Sequence, residues 1–281
     1  MNRLATTAIY LLTITIGIAT FAAPFVLPYS KFAPENSVLI LTMLMLGLAL
    51  VALLVEVQGQ IVSAKVVATL GILIAITSVL RFIEVAIPGP GGFSPVFAPI
   101  ILAGYVFGAR FGFLLGAMTM LVSGLITGGI GPWLPYQMFT VGWVGMSAGW
   151  LPHPAKAQTA VILLVVWGFV WGLLYGVLIN LYSWPLIVGA AATSWQAGIG
   201  FRETAVRYAA FYVATSLLWD MGRAIGNVLL LLVLGAPAIR ALSRFRNRLQ
   251  YQVVPLGARS ARPLFADRLS ALPADRVRYD E

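Results

Sequence analysis

Two pairs of opposite charge sit three residues apart inside otherwise apolar runs: Arg81 with Glu84, and Asp220 with Arg223. Spacing i, i+3 puts both members of a pair on one face of a helix. A charge in apolar surroundings is costly, so it turns toward a partner or a polar cavity. Gly222, Ala224 and Gly226 surround the second pair and Asn227 follows it. Asp220 and Arg223 are therefore expected to form a structural ion pair that locks its helix to its neighbours, with a proton or ion relay as the functional alternative. Arg81 and Glu84 lie near the end of their run, where a polar ligand would arrive, and are expected to bind one. Arg207 is a third candidate at the same level.

A second concentration of chemistry is the stretch 123–137, S-G-L-I-T-G-G-I-G-P-W-L-P-Y-Q. An apolar helix end runs into a glycine-rich turn, Trp133 follows between Pro132 and Pro135, and Tyr136 and Gln137 open the next run. A few polar groups among aromatics is the usual make-up of a small-molecule site, so this stretch is expected to form part of a binding mouth.

Other chemistries lack their residues. There is no cysteine and a single histidine, His153. Thiolate metal sites, cysteine nucleophiles and a bis-histidine haem are therefore excluded. No G-x-x-x-x-G-K-[ST], H-E-x-x-H or G-x-S-x-G occurs, and no acidic cluster suggests a metal for phosphoryl transfer. Catalytic residues, a metal site and a cofactor are not expected.

The elements that must position these residues are helices in a bilayer. The chain of 281 residues is 60% hydrophobic and 10% charged, against about 25% charge in soluble domains. Eight transmembrane helices are expected, making an all-α polytopic protein: 8–27, 38–55, 64–87, 95–108, 110–127, 136–151, 159–182 and 204–234. The first run begins after a basic residue, as a secretory signal would. Its length of about 20 residues favours a span. Nine of the 18 Lys and Arg follow residue 239, and Arg3, Lys65, Arg110 and Lys156 fall on the same face as that cluster. The basic-residue rule then puts both termini in the cytoplasm, with the basic tail on anionic lipid rather than on nucleic acid. Loops 88–95, 128–135 and 183–203, rich in glycine, proline and tryptophan, open together on the outer side. The chain divides into two N-terminal helices with a connector (1–63), a six-helix core (64–240) and a basic, mobile tail (241–281).

Helices in lipid associate through small residues. Gly104, Gly108, Gly112 and Gly116 recur every four positions, as do Gly168, Gly172 and Gly176 beside a stripe of Trp167, Trp171 and Tyr175. Gly145 and Gly149 continue the pattern. Ala64, Ala68, Gly71 and Ala75 make a small-residue face on the 64–87 helix, suited to packing within the chain or to docking on another membrane protein.

Region 64–248 resembles the substrate-binding S component of energy-coupling factor (ECF) transporters, the vitamin-uptake ABC systems. The residues that carry the resemblance are G-Y-V-F-G-A-R-F-G-F-L-L-G (104–116), the stretch 123–138, G-W-V-G-M-S-A-G-W-L-P (142–152), W-G-L-L-Y-G-V-L-I-N-L-Y-S-W-P (171–185), and A-F-Y-V-A-T-S-L-L-W-D-M-G-R-A-I-G-N (210–227) with the arginines after it. The resemblance implies a six-helix core and an outward pocket capped by loops. It also implies a transmembrane coupling protein docked on Ala64, Ala68, Gly71 and Ala75, and two ATPase subunits. Two added N-terminal helices and the basic tail depart from the usual pattern.

On this reading Trp133, Tyr136, Trp184 and Trp195, with Phe93, enclose a ring system, and Gln137, Asn180, Arg81, Glu84 and Arg207 meet its polar groups. For Trp184 and Trp195 an interfacial belt is the alternative. The aromatics suit a flat or conjugated vitamin; a cobalamin-like or other tetrapyrrole-derived compound is the first expectation, with riboflavin, thiamine and queuosine precursors open. The competing functions are a stand-alone proton-coupled secondary transporter using Asp220, and a membrane enzyme or assembly factor. The location expected is a bacterial or archaeal plasma membrane.

Overall fold

A computed structural model of the chain describes residues 64–249 apart from positions 132, 188 and 197, together with position 47 and scattered positions between 11 and 22. From residue 64 onward the described residues form α1 (Ala64–Ala86), α2 (Phe97–Phe107), α3 (Ala109–Thr127), α4 (Leu134–Ala148), α5 (Ala157–Ser183), α6 (Phe201–Thr215) and α7 (Leu217–Leu249). Short 3-10 turns occupy Pro90–Gly92 and Trp184–Leu186, and no strand occurs among the described residues. Helices α1, α3, α5 and α7 are long and apolar enough to cross a membrane.

Helices α2 and α4 have 11 and 15 residues. At 1.5 Å per residue they are about 16 and 22 Å long, less than the ~30 Å hydrocarbon core. Most of their residues are buried in protein, so neither needs a lipid-facing stripe. Gly108, at φ 99°, turns α2 into α3 with its N–H on Gly104 O at 2.8 Å.

The small residues set the packing. A Cβ on Gly104 or Gly112 would strike the backbone of Gly145, and one on Gly116 would strike Val141 O. Helices α2, α3 and α4 thus touch backbone to backbone. On the other side, Gly168 meets Leu231 and Asn227, Gly172 meets Ala224, and Gly176 meets Asp220. The ascending order on α5 against the descending order on α7 makes them antiparallel. Helix α1 is stitched to α3 by Thr77 Oγ1 and Thr119 Oγ1 at 2.6 Å, both buried. This topology brings loops 87–96, 128–133 and 184–200 to one end of the bundle, called here the loop end.

The expected single helix 204–234 is instead two. The chain breaks at Ser216, whose Oγ accepts from Asn180 Nδ2 at 2.7 Å. Helix α7 starts at the same level, where Gly92 and Gly222 lie on Trp219 O and Gly91 of loop 87–96. Helix α6 therefore begins and ends at the loop end, and α7 alone makes the crossing. The polar pair Thr215-Ser216 stands at the break, where Ser and Thr are favoured at a helix start, and Asn180 of α5 holds it there. At the far end α7 runs through the arginine cluster to Leu249, and Arg246 Nη1 donates to Val106 O at 2.8 Å. His153 is also accounted for there: its ring stacks on Tyr105 at 4.3 Å and its Nε2 lies 2.9 Å from Tyr105 O.

The described positions between 11 and 22 are helical and pack on α4: Phe21 meets Tyr136 edge-on at 5.2 Å, and Gly17 faces Trp143 and Phe139. The expected span 38–55 (apart from the helical position 47) and the tail from residue 250 lie outside the described residues.

Candidate functional site at the loop end

Both charged pairs form, and they face each other across the start of α2. Arg81 Nη1 reaches Glu84 Oε1 at 2.6 Å, and Ser94 donates to Glu84 Oε2 at 2.8 Å. Three residues beyond Ser94, Phe97 opens α2. Its ring lies under the guanidinium of Arg223 at 5.8 Å, and Tyr175 lies under the same group at 4.7 Å. Such contacts hold a cation by the ring quadrupole. Phe97 and Tyr175 meet edge to face at 5.0 Å. Tyr175 is within electrostatic reach of Arg223, Arg81, Glu84 and Asp220 together, so four charges converge around one buried phenol.

Local sequence explains the placement. Asp220 lies in the first turn of α7, where a carboxylate complements the helix dipole. It pairs with Arg223 Nη1, which also reaches Gly172 O at 3.5 Å. Gly176 leaves room for the carboxylate, since a Cβ there would fall on Asp220 Oδ2. One turn below the pair, Asn227 Nδ2 donates to Gly168 O at 2.9 Å. The pair and Asn227 thus sit on the α5–α7 seam. Asp220 Oδ2 and Asn227 Oδ1 are buried without a hydrogen bond of good geometry among the described residues, although the Tyr212 phenol lies within hydrogen-bonding reach of the Asp220 carboxylate. Phe93 packs over Gly226 and Gly89, which ties loop 87–96 to α7 beside the pair.

The remaining predicted residues divide into three groups. Tyr136 is buried against Tyr182 at 4.4 Å, and Gln137 beside it is half-buried. Trp184 is 0% exposed, donates to Thr193 O at 2.8 Å, and is enclosed by Tyr208 and Phe211 with Trp195 against them. It therefore lies in the interior of a small core under loop 184–200. Arg207 belongs to the same module: it pairs with Glu203 at 2.9 Å and donates to Ala191 O and Gln196 Oε1 at 2.9 and 3.2 Å. Tyr208 and Tyr212 fasten this module to Val177 O and Leu173 O of α5, and Asn180 fastens its end through Ser216. Trp133 stands apart at 44% exposed, with its N–H on Gly129 O at 3.2 Å.

Sequence reasoning missed Ser94, Phe97 and Tyr182 as members of this end. Ser94 sits in a loop from which only Phe93 stands out in the sequence, and Phe97 and Tyr182 lie within apolar runs. Tyr175 was visible as part of the α5 stripe, though its place under Arg223 was not.

On the outer side of α1, Ala68, Gly71 and Ala75 are exposed, and among the described residues nothing lies within 4 Å of a Cβ built on Gly71. Ile72, Ile76 and Val79 beside them are at least half exposed. Among the described residues no group of three His, Cys, Asp or Glu could hold a metal ion.

No curated protein and no solved structure matches the chain. A family does: the sequence model described as "ECF transporter, substrate-specific component" matches residues 65–235, from the first turn of α1 to the middle of α7. That match covers more than half of the 281 residues, including both charged pairs, so the chain belongs to the substrate-specific components of ECF transporters, membrane-embedded transport subunits rather than enzymes.

Proposed function

We propose that this chain captures a vitamin or related small molecule at the loop end, facing the outside of the cell, and delivers it through an ATP-driven ECF module. The observation that carries the reading is the family match spanning the bundle, whose loop end gathers charged, amide and aromatic side chains. Arg81, Glu84, Tyr136, Gln137 and Asn180 would contact the molecule, with Phe93 and Trp133 at the rim. Trp184, Trp195 and Arg207 would hold loop 184–200 and α6 as the cap over it. The uncovered face of Ala68, Gly71 and Ala75, continued at Ala64, would dock on the transmembrane coupling protein. Close backbone approach at small residues is what drives association in lipid. Two ATPase subunits would supply the energy, since no nucleotide-binding motif occurs in this sequence.

One observation favours a second reading, a stand-alone proton-coupled carrier: Asp220 is buried, with Oδ2 lacking a well-formed hydrogen bond among the described residues and the Tyr212 phenol beside it. Uptake assays separate the two. Under the ECF reading, accumulation of the molecule that co-purifies with the chain requires the coupling protein and working ATPases. Under the carrier reading, the chain alone accumulates it along a proton gradient, and Asp220→Asn abolishes uptake. Uptake by the chain alone, unaffected by inactive ATPases, would overturn the proposal.

A further inference from the structure

The polar atoms around Tyr175 are unequally occupied. Glu84 has both carboxylate oxygens engaged, one by Arg81 and one by Ser94. Asp220 has Oδ1 engaged by Arg223, and its Oδ2 is pressed against Gly176. Each Glu84 oxygen thus already has a donor, and Asp220 is only 3% exposed. The donors are different. A guanidinium carries five N–H donors in a rigid fork. Arg81 and Arg223 each use only Nη1 among the described residues; Nε and Nη2 of both have no hydrogen-bond partner there.

Exposure runs the same way. In each pair the arginine is the more accessible member: Arg81 is 26% exposed against 17% for Glu84, and Arg223 is 16% against 3% for Asp220. Arg81 also points inward, because it shares a helix face with Thr77 and Ser78, both 0% exposed. The two forks flank the same structural point, since Glu84 is bonded to Ser94 and Arg223 lies over Phe97, three residues further on. The unused donors of both arginines are accessible rather than buried, and two planar forks match a carboxylate or phosphate group.

We propose that the small molecule carries an anionic oxygen group, a carboxylate or a phosphate, and that Arg81 and Arg223 clamp it above the start of α2. The proposal rests on the substrate-binding reading above and assigns Arg223 a second role beside its pairing with Asp220. Tyr175 and Phe97 fix the Arg223 fork from below, and the two carboxylates hold both forks in place while cancelling their charge before the molecule arrives.

The test uses the full chain purified in mild detergent and dialysed free of bound molecules. Its thermal midpoint is followed against benzoate and against inorganic phosphate, with chloride at matched ionic strength as reference. We expect one oxyanion to raise the midpoint beyond chloride, and the responding probe tells carboxylate from phosphate. In the Arg81→Gln/Glu84→Gln double variant, which leaves no unpaired charge, the required concentration should rise about 10- to 100-fold, the range for lost hydrogen bonds to a charged group. Arg223→Lys keeps a charge beside Asp220 but gives up the fork, and should weaken the response in a chain that still folds.

No protection by either probe, or a wild-type response in both folded variants, overturns the clamp. Mass spectrometry of the molecule released from undialysed protein gives an independent arm. A released compound with no acidic group refutes the clamp, and ATP-dependent uptake of that compound would leave the transport reading standing. An oxyanion response in a chain that supports no uptake with its partner subunits would refute the transport reading and retain the clamp.

Discussion

Gly145→Ala adds a single methyl at the point where three helices meet. A Cβ at 145 falls on the carbonyl of Gly112, and Cβ atoms at Gly104 and Gly112 would in turn fall on Gly145. The obstructing atoms are backbone, so no side chain can swing aside and α4 must back away from α2 and α3. Overpacking of this kind costs about 1–3 kcal/mol. The gain in helix propensity from glycine to alanine returns at most about 1 kcal/mol. In lipid there is no hydrophobic drive to close the gap again, because the tails are as apolar as the side chains. The loss should fall toward the upper part of that range, since retreat also opens the contact of Gly116 with Val141 O. At about 2–4 °C per kcal/mol for a domain of this size, the thermal midpoint in detergent should drop by roughly 4–10 °C. The control is Gly71→Ala on α1, where no described residue lies within 4 Å of the added Cβ; its midpoint should be unchanged or slightly higher. A Gly145→Ala protein as stable as wild type, or a Gly71→Ala protein equally weakened, would refute the account of backbone contact as what holds α2, α3 and α4 together.

The exposed small-residue face gives a functional counterpart. Gly71→Leu should leave thermal stability and ligand binding at wild-type values while abolishing ATP-dependent uptake, read by pull-down of the coupling protein alongside transport. At the rim, Trp133→Ala and Gln137→Ala should weaken binding of the co-purified molecule about ten-fold each, by roughly one lost contact or hydrogen bond, with no change in the far-UV circular dichroism; unchanged affinity would remove both residues from the site. Trp184→Ala deletes the centre of the small core under loop 184–200. Truncation of a buried Trp costs about 3–5 kcal/mol, and because this core is separate from the main one, limited proteolysis should cut within 187–200 while the bundle stays intact.

How far this structure could be read from its sequence depends on whether the information is periodic. Glycines at every fourth position announce a face, and the structure uses those faces: Gly168, Gly172 and Gly176 all meet α7, and Gly104, Gly112 and Gly116 all meet α4. The exception is Gly108, which shares the period but has nothing near it and a φ of 99°; there the run of four coincides with a turn, and conformation rather than space is the reason for glycine. Charge pairs at i, i+3 were equally legible, because one helix contains both partners. What periodicity cannot carry is the identity of the opposite wall. Within 204–234 the Thr215-Ser216 pair is the only local mark of a break, and its partner, Asn180, lies on another helix. Nothing in the sequence around Trp184 says that Tyr208 and Phe211 will close over it. The placement of Tyr175 beneath Arg223 is of the same kind. It requires α5 and α7 to be antiparallel in one particular register, which Gly172 against Ala224 sets. The site is therefore readable as a list of residue types and unreadable as a geometry, and the unequal occupation of donors and acceptors around Tyr175 becomes visible only once that register is fixed.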